Sequence, residues 1–167
     1  MENKREIRRG DMCENKKYIH YGHKKFDRER FTPINNERCF VKPIGGLWAS
    51  PVDAEWGWKQ WCKSEKFRDC NEDNSFTFTL SEKAVVVHIR SIKNLSGLPR
   101  VENEFTLNTW YCIDFERLLE IGIDAVELHL SEEDRRGLGV CEGLNWSLYG
   151  WDCDSILIMN PDVVVEV

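Results

Sequence analysis

Three short stretches of this chain carry side chains able to act together. They are His20-Tyr21-Gly22, the run Trp48-Ala49-Ser50 with Trp58 close behind it, and Asp152-Cys153-Asp154. An imidazole on a short strand can hold a hydroxyl or an amide through one ring nitrogen. Indole rings give wide apolar walls on which a flat ligand stacks. Four of the seven tryptophans fall between positions 48 and 61. Helical spacing assigns Trp61 to the core and leaves Trp48 and Trp58 as candidate walls of a slot. Two carboxylates two residues apart on a strand face the same side of the sheet. Asp152 and Asp154 are therefore read as two carboxylates placed to share one site. Cys153 has no histidine beside it in the sequence and is not read as a nucleophile.

The elements that must position these groups follow from pattern. Residues 18–22 read as a first strand ending on glycine, and "GGLWAS" (45–50) as a second. Ser50, Pro51 and Asp53 resemble a capping box with proline at the first helical position, which predicts a helix from Pro51 onward. Its apolar face would be Ala54, Trp58, Trp61 and Cys62, and Gly57 inside it would cost up to about 1 kcal/mol. Residues 75–80 alternate as a half-buried strand, and 84–90 form a continuous apolar run expected at the centre of a sheet. "CIDFERLLEIG" reads as a helix capped by Asp114, with Phe115, Leu118 and Leu119 inward and Gly122 at its end. Residues 123–130 read as a strand, followed by a polar excursion over 131–139. Two apolar runs around Asn160-Pro161-Asp162 read as a β-hairpin, with a bend between sheets as the alternative.

Bulk properties bound the answer. The chain has 167 residues, 41 % of them hydrophobic and 31 % charged, enough for one domain with a real core. Residues 1–16 read as a flexible N-terminal extension and 17–167 as a single domain. A net charge of −6 argues against a non-specific nucleic-acid binder. Seven cysteines without a CxxC pair favour reduced thiols and give no metal-site spacing. No apolar run is long enough to span a bilayer and no secretory signal is evident, so the expectation is a cytoplasmic protein.

The three stretches, in this order, resemble the three motifs of the ADP-ribosyltransferase superfamily, on its diphtheria-toxin and poly(ADP-ribose) polymerase side. "YIHYG" is similar to its His-Gly strand, "GLWAS" to its second strand with aromatics in the helix after it, and "CDSILIMN" to its acidic residue opening a late apolar strand. The resemblance covers residues 18–160. It implies an α+β fold built on a split β-sheet core, two small packed antiparallel sheets with a few flanking helices. It also implies NAD as substrate and a protein or nucleic-acid acceptor of ADP-ribose. His20 would bond a ribose, and the backbone of Tyr21 and Gly22 would hold the nicotinamide amide. Nicotinamide would lie beside Ser50 between Trp48 and a second aromatic from the helix, Trp58 or Trp61, with Trp58 preferred. Asp154 would be the catalytic carboxylate and Asp152 would orient the nucleophile. Tryptophan stands at 48 where the family has tyrosine. Aspartate stands at 154 where it has glutamate, which withdraws the carboxylate by about 1.5 Å. These two changes motivate a second expectation, a nucleotide- or partner-binding module of the same fold. Removal of a 2′-phosphate from RNA and plain NAD hydrolysis are related alternatives.

Overall fold

The structure is a computed structural model that describes residues 16–37, 42–103, 110–131, 138–148 and 150–167. Most of the N-terminal extension (1–15) and most of the polar excursion (132–137) lie outside the described residues. In chain order the elements are β1 (Tyr18–Tyr21), β2 (Leu47–Pro51), α1 (Trp58–Glu65), β3 (Ser75–Leu80), β4 (Val86–Ile89), β5 (Arg100–Asn103) and β6 (Trp110–Ile113). They continue with α2 (Phe115–Glu120), β7 (Ala125–Leu128), β8 (Leu138–Cys141), β9 (Leu144–Ser147), β10 (Ser155–Ile158) and β11 (Val164–Glu166).

This is an α+β protein with a seven-stranded sheet in the order β11-β3-β1-β2-β10-β7-β4 and a four-stranded sheet in the order β5-β6-β9-β8. Both sheets are mixed rather than purely antiparallel, because β4 runs parallel to β7 and β6 parallel to β9. Parallel neighbours need a long crossover, and here β5, β6 and α2 all lie between β4 and β7.

The large sheet is two half-sheets held by a short seam. β1 pairs with β2 only at Tyr18↔Pro51 and Ile19↔Ser50. Past that point the strands part, with His20 and Tyr21 on one lip and Trp48 and Leu47 on the other. β2 continues into β10, with Leu157 opposite Trp48, and β10 into β7.

All four residues of β10 and all four of β7 are buried. Buried on both faces, they feed two cores. Val126, Leu128 and Leu157 join Ile113, Trp146, Phe115 and Leu118 in a core shared with the small sheet and α2. Ala125, Ile156 and Ile158 join Tyr18, Phe76 and Phe78 on the opposite face. Fully burying each large apolar side chain is worth about 1.5–3 kcal/mol, so β10 and β7 are among the best anchored strands of the sheet.

Several expectations are corrected. The run 84–90 yields an edge strand, β4, with only Ile89 fully buried; the two-sided burial belongs to β7 and β10. The C-terminal runs do not form a hairpin, because after a 3-10 turn at Pro161–Val163 strand β11 pairs with β3 at the far edge. α1 does not begin at Pro51, which ends β2 with Ser50 before it. Its first residue is Trp58, with Gly57 extended at the cap position (φ −88°, ψ −174°) rather than inside the helix. Trp61 is half-buried rather than core, and Cys62 is the one fully buried residue of α1. α2 is as expected, with Asp114 accepting from the Arg117 amide and Phe115 and Leu118 buried.

Candidate functional site

The cleft where β1 and β2 part is built around His20. Its Nδ1 lies 2.7 Å from the Trp48 carbonyl oxygen, bridging the two lips. A carbonyl only accepts, so Nδ1 carries the proton and Nε2 of the neutral ring bears a lone pair. That Nε2 is buried and makes no hydrogen bond among the described residues. Burial lowers the pKa of His20 below its ordinary 6.5; the Trp48 bond opposes this, while the charges of His23 and Arg68 add to it. The ring is therefore neutral at neutral pH, and its bare acceptor is the kind of buried polar atom that costs about 1–3 kcal/mol until something donates to it. Gly22, at φ +136°, keeps the flank open, since a Cβ there would lie 3.3 Å from Nε2.

Two cavities meet at His20 and Trp48. The first, about 240 Å³, is walled by Trp48 and Trp58 and also lined by Tyr21, Lys42, Ser50, Asp152, Cys153 and Ser155. Trp48 is braced edge-on by Trp151 at 4.8 Å, and Trp58 stacks on Trp61 at 4.9 Å. The Lys42 ammonium lies 4.9 Å from the Trp48 ring centre and 5.8 Å from that of Trp58. Burial pushes the Lys42 pKa down, while the Asp152 carboxylate and the Cys153 thiol push it up. The second cavity, about 630 Å³, runs past His23, Lys24, Lys25 and Arg30 over a floor that includes Gly45, Gly46 and Phe76.

Ser50 has a positional role that spacing alone could not supply. From the end of β2 its Oγ accepts the Trp58 amide at 2.9 Å, fastening the first turn of α1 across a loop. The same loop is tied to the third motif: the Asp154 amide donates to the Trp56 carbonyl at 2.9 Å and Trp56 Nε1 donates to the Asp152 carbonyl at 3.1 Å. The second aromatic wall is thereby held in register with both the Trp48 strand and the acidic segment. The backbone at the first motif is partly engaged, with the Gly22 amide donating to the Asn74 carbonyl and the Tyr21 carbonyl accepting from Arg68.

His20, Tyr21, Trp48, Ser50, Trp58 and Asp152 thus converge on one cleft. Asp154 does not join them, and the expectation that it shares a side with Asp152 is corrected. Residues 152–154 precede β10 rather than belonging to it, so strand alternation does not govern them. Asp154 is buried and pairs with His129 Nδ1 at 2.9 Å in a third cavity, of about 460 Å³. There Glu127 accepts from Lys16 at 2.5 Å, from the Tyr18 hydroxyl at 3.3 Å and from His88 Nδ1 at 2.7 Å.

Sequence reasoning missed Lys42, which no motif or periodicity singled out. It also gave His88 and His129 no partners. The available signal was Glu127, a charged residue inside the apolar run "AVELHL", since a buried carboxylate requires partners. Among the described residues no group of His, Cys, Asp and Glu is placed to hold a metal ion, and no helix is long and apolar enough to cross a membrane. The fold and cleft together define an α+β domain with an indole-walled, histidine-bridged opening in its main sheet. No protein-family model, no curated protein and no solved structure matches this chain.

Proposed function

We propose that this chain is an NAD-dependent ADP-ribosyltransferase, releasing nicotinamide and passing ADP-ribose to a protein or nucleic-acid acceptor. The observation that carries the reading is the buried, unpartnered Nε2 of His20 at the junction of an indole-walled slot and a basic groove. A ribose hydroxyl is a fitting donor to that nitrogen. The slot suits the nicotinamide ring, and the groove with Lys24, Lys25 and Arg30 suits the diphosphate half of the dinucleotide. The neighbour order β1-β2-β10 gathers the His, Trp and Asp motifs, in keeping with a split-sheet transferase core.

In this reading the bond from ribose to nicotinamide breaks through an oxocarbenium-like state. Asp152, exposed on the cleft, supplies the carboxylate that favours this positive charge. Asp154 acts indirectly, holding the start of β10 and the 52–57 loop through its amide and its His129 pair.

The test is nicotinamide release from NAD, with and without a cell lysate as acceptor source. Asp152→Ala and His20→Ala should each lower the rate by about 10²-fold or more, while Asp154→Asn should lower stability more than rate per folded molecule. Only neutral His20 accepts from a hydroxyl, and its pKa lies below 6.5. NAD affinity should therefore be flat above about pH 6.5 and fall in acid. A second reading is favoured by the turn of Asp154 away from the cleft: a module of the same fold that binds NAD without cleaving it. A thermal shift with NAD, without nicotinamide release under any condition, would select it. Absence of both binding and release sinks the NAD assignment.

A further inference from the structure

We propose that the Trp48–Trp58 slot is a cation box whose resident occupant is the Lys42 ammonium, and that its ligand is a positively charged ring that displaces this lysine. The inference rests on the NAD reading only for the identity of the ring.

Three observations on the slot agree. The Lys42 Nζ faces both indoles, at 4.9 and 5.8 Å from the ring centres, within the range of cation–π attraction. The Arg68 guanidinium carbon lies 5.4 Å over the Trp58 ring, so that wall is approached by a second cation. Asp152 lines the same cleft and acts on Lys42 by charge, so one carboxylate accompanies the indoles. Indole faces with one acid are the chemistry that recognises quaternary nitrogen. The cleft's 240 Å³ is below the roughly 300 Å³ at which pockets for drug-sized molecules begin, room for a single ring.

Lys42 is then an internal competitor. Any ring that enters must first dislodge the ammonium from the indole faces. A pyridinium ring, the form nicotinamide takes in NAD, replaces that attraction in kind and meets Asp152. Neutral nicotinamide offers stacking alone. The displaced ammonium, tethered nearby, also repels a cationic ligand and leaves a neutral one unaffected. Removing the charge while keeping the stem should therefore help a cationic ring most.

The experiment compares the wild type with Lys42→Met and Lys42→Arg, measuring dissociation constants by calorimetry for 1-methylnicotinamide, a cation, and for nicotinamide. Lys42→Met should bind 1-methylnicotinamide at least fivefold more tightly than the wild type and gain less for nicotinamide. Lys42→Arg should stay within about twofold of the wild type. In the free wild type the Lys42 methylene protons should resonate upfield from indole ring current and return toward ordinary values on saturation with 1-methylnicotinamide. Unchanged or weaker binding of the cation by Lys42→Met overturns the proposal, as does an unshifted Lys42 signal. If the Lys42→Met gain and the ring-current shift are seen while NAD is neither bound nor cleaved, the cation box stands and the NAD reading falls.

Discussion

Glu127 lies between Val126 and Leu128 in a strand buried along its whole length, and only 4 % of its surface is exposed. Burial alone would raise its pKa. Hydrogen bonds from His88 and Lys16, together with their charges, outweigh burial and bring it to about 2 from 4.5. A carboxyl lowered in this way stabilises the fold fully above its unfolded pKa, and that contribution is lost as pH falls through the folded one. The window is therefore about pH 4.5 down to about 2. Urea unfolding should show stability declining across that window in the wild type. Glu127→Gln should flatten this part of the profile and cost about 3 kcal/mol at neutral pH, since it takes the shared carboxylate away from Lys16 and His88. A variant as stable as the wild type at pH 7 would show that the triad contributes nothing. At this scale the sequence was half legible. His20, Trp48 and Trp58 were picked out from short local stretches, and the sheet does bring them to one cleft. Lys42 and the partners of Glu127 come from distant segments, and only the folded sheet sets them side by side.

Ser50 shows why elements were harder to read than residues. It was expected to cap a helix starting at the next residue. It does receive a helix-initiating amide, that of Trp58, but from the end of β2 and across a loop. Local capping signals assume a continuous chain turn. Here strand pairing at Ile19↔Ser50 outcompeted the helix for residues 50 and 51. The same competition placed β4 at an edge and sent β11 to β3, since strand order depends on partners far along the chain. α2 was legible because its cap, apolar face and terminating glycine all lie within one short segment. Ser50→Ala should remove the only side-chain acceptor that the described residues give to a backbone amide in the first turn of α1, costing about 1 kcal/mol. Amide exchange in residues 58–62 should quicken about fivefold while exchange in β7 and β10 changes only as far as global stability does. If 58–62 exchange as before, the Oγ bond does not hold the helix start.

At the scale of the molecule, the cleft and the two sheets share one packing unit. Trp151, only 4 % exposed, lies edge-on to Trp48 at 4.8 Å and stacked with Phe115 at 6.0 Å. It thereby connects a wall of the slot to the start of α2. Leu157, opposite Trp48, belongs to the same core as Trp146 of the small sheet. Interiors packed to crystal-like density transmit a local loss to their neighbours. Among the described residues the buried apolar side chains of the small sheet, Cys112, Ile113, Cys141 and Trp146, all belong to the shared core. Unfolding should therefore be a single transition, with circular dichroism and tryptophan fluorescence coincident. Trp151→Ala should cost about 3–5 kcal/mol and move that transition as a whole, by roughly 6–20 °C for a chain of this length. It should also weaken the binding of 1-methylnicotinamide proposed for the slot, because Trp48 loses its brace. An early, separate transition in fluorescence, with the remaining melt unshifted, would mean that the small sheet is an independent unit and that the slot does not depend on it.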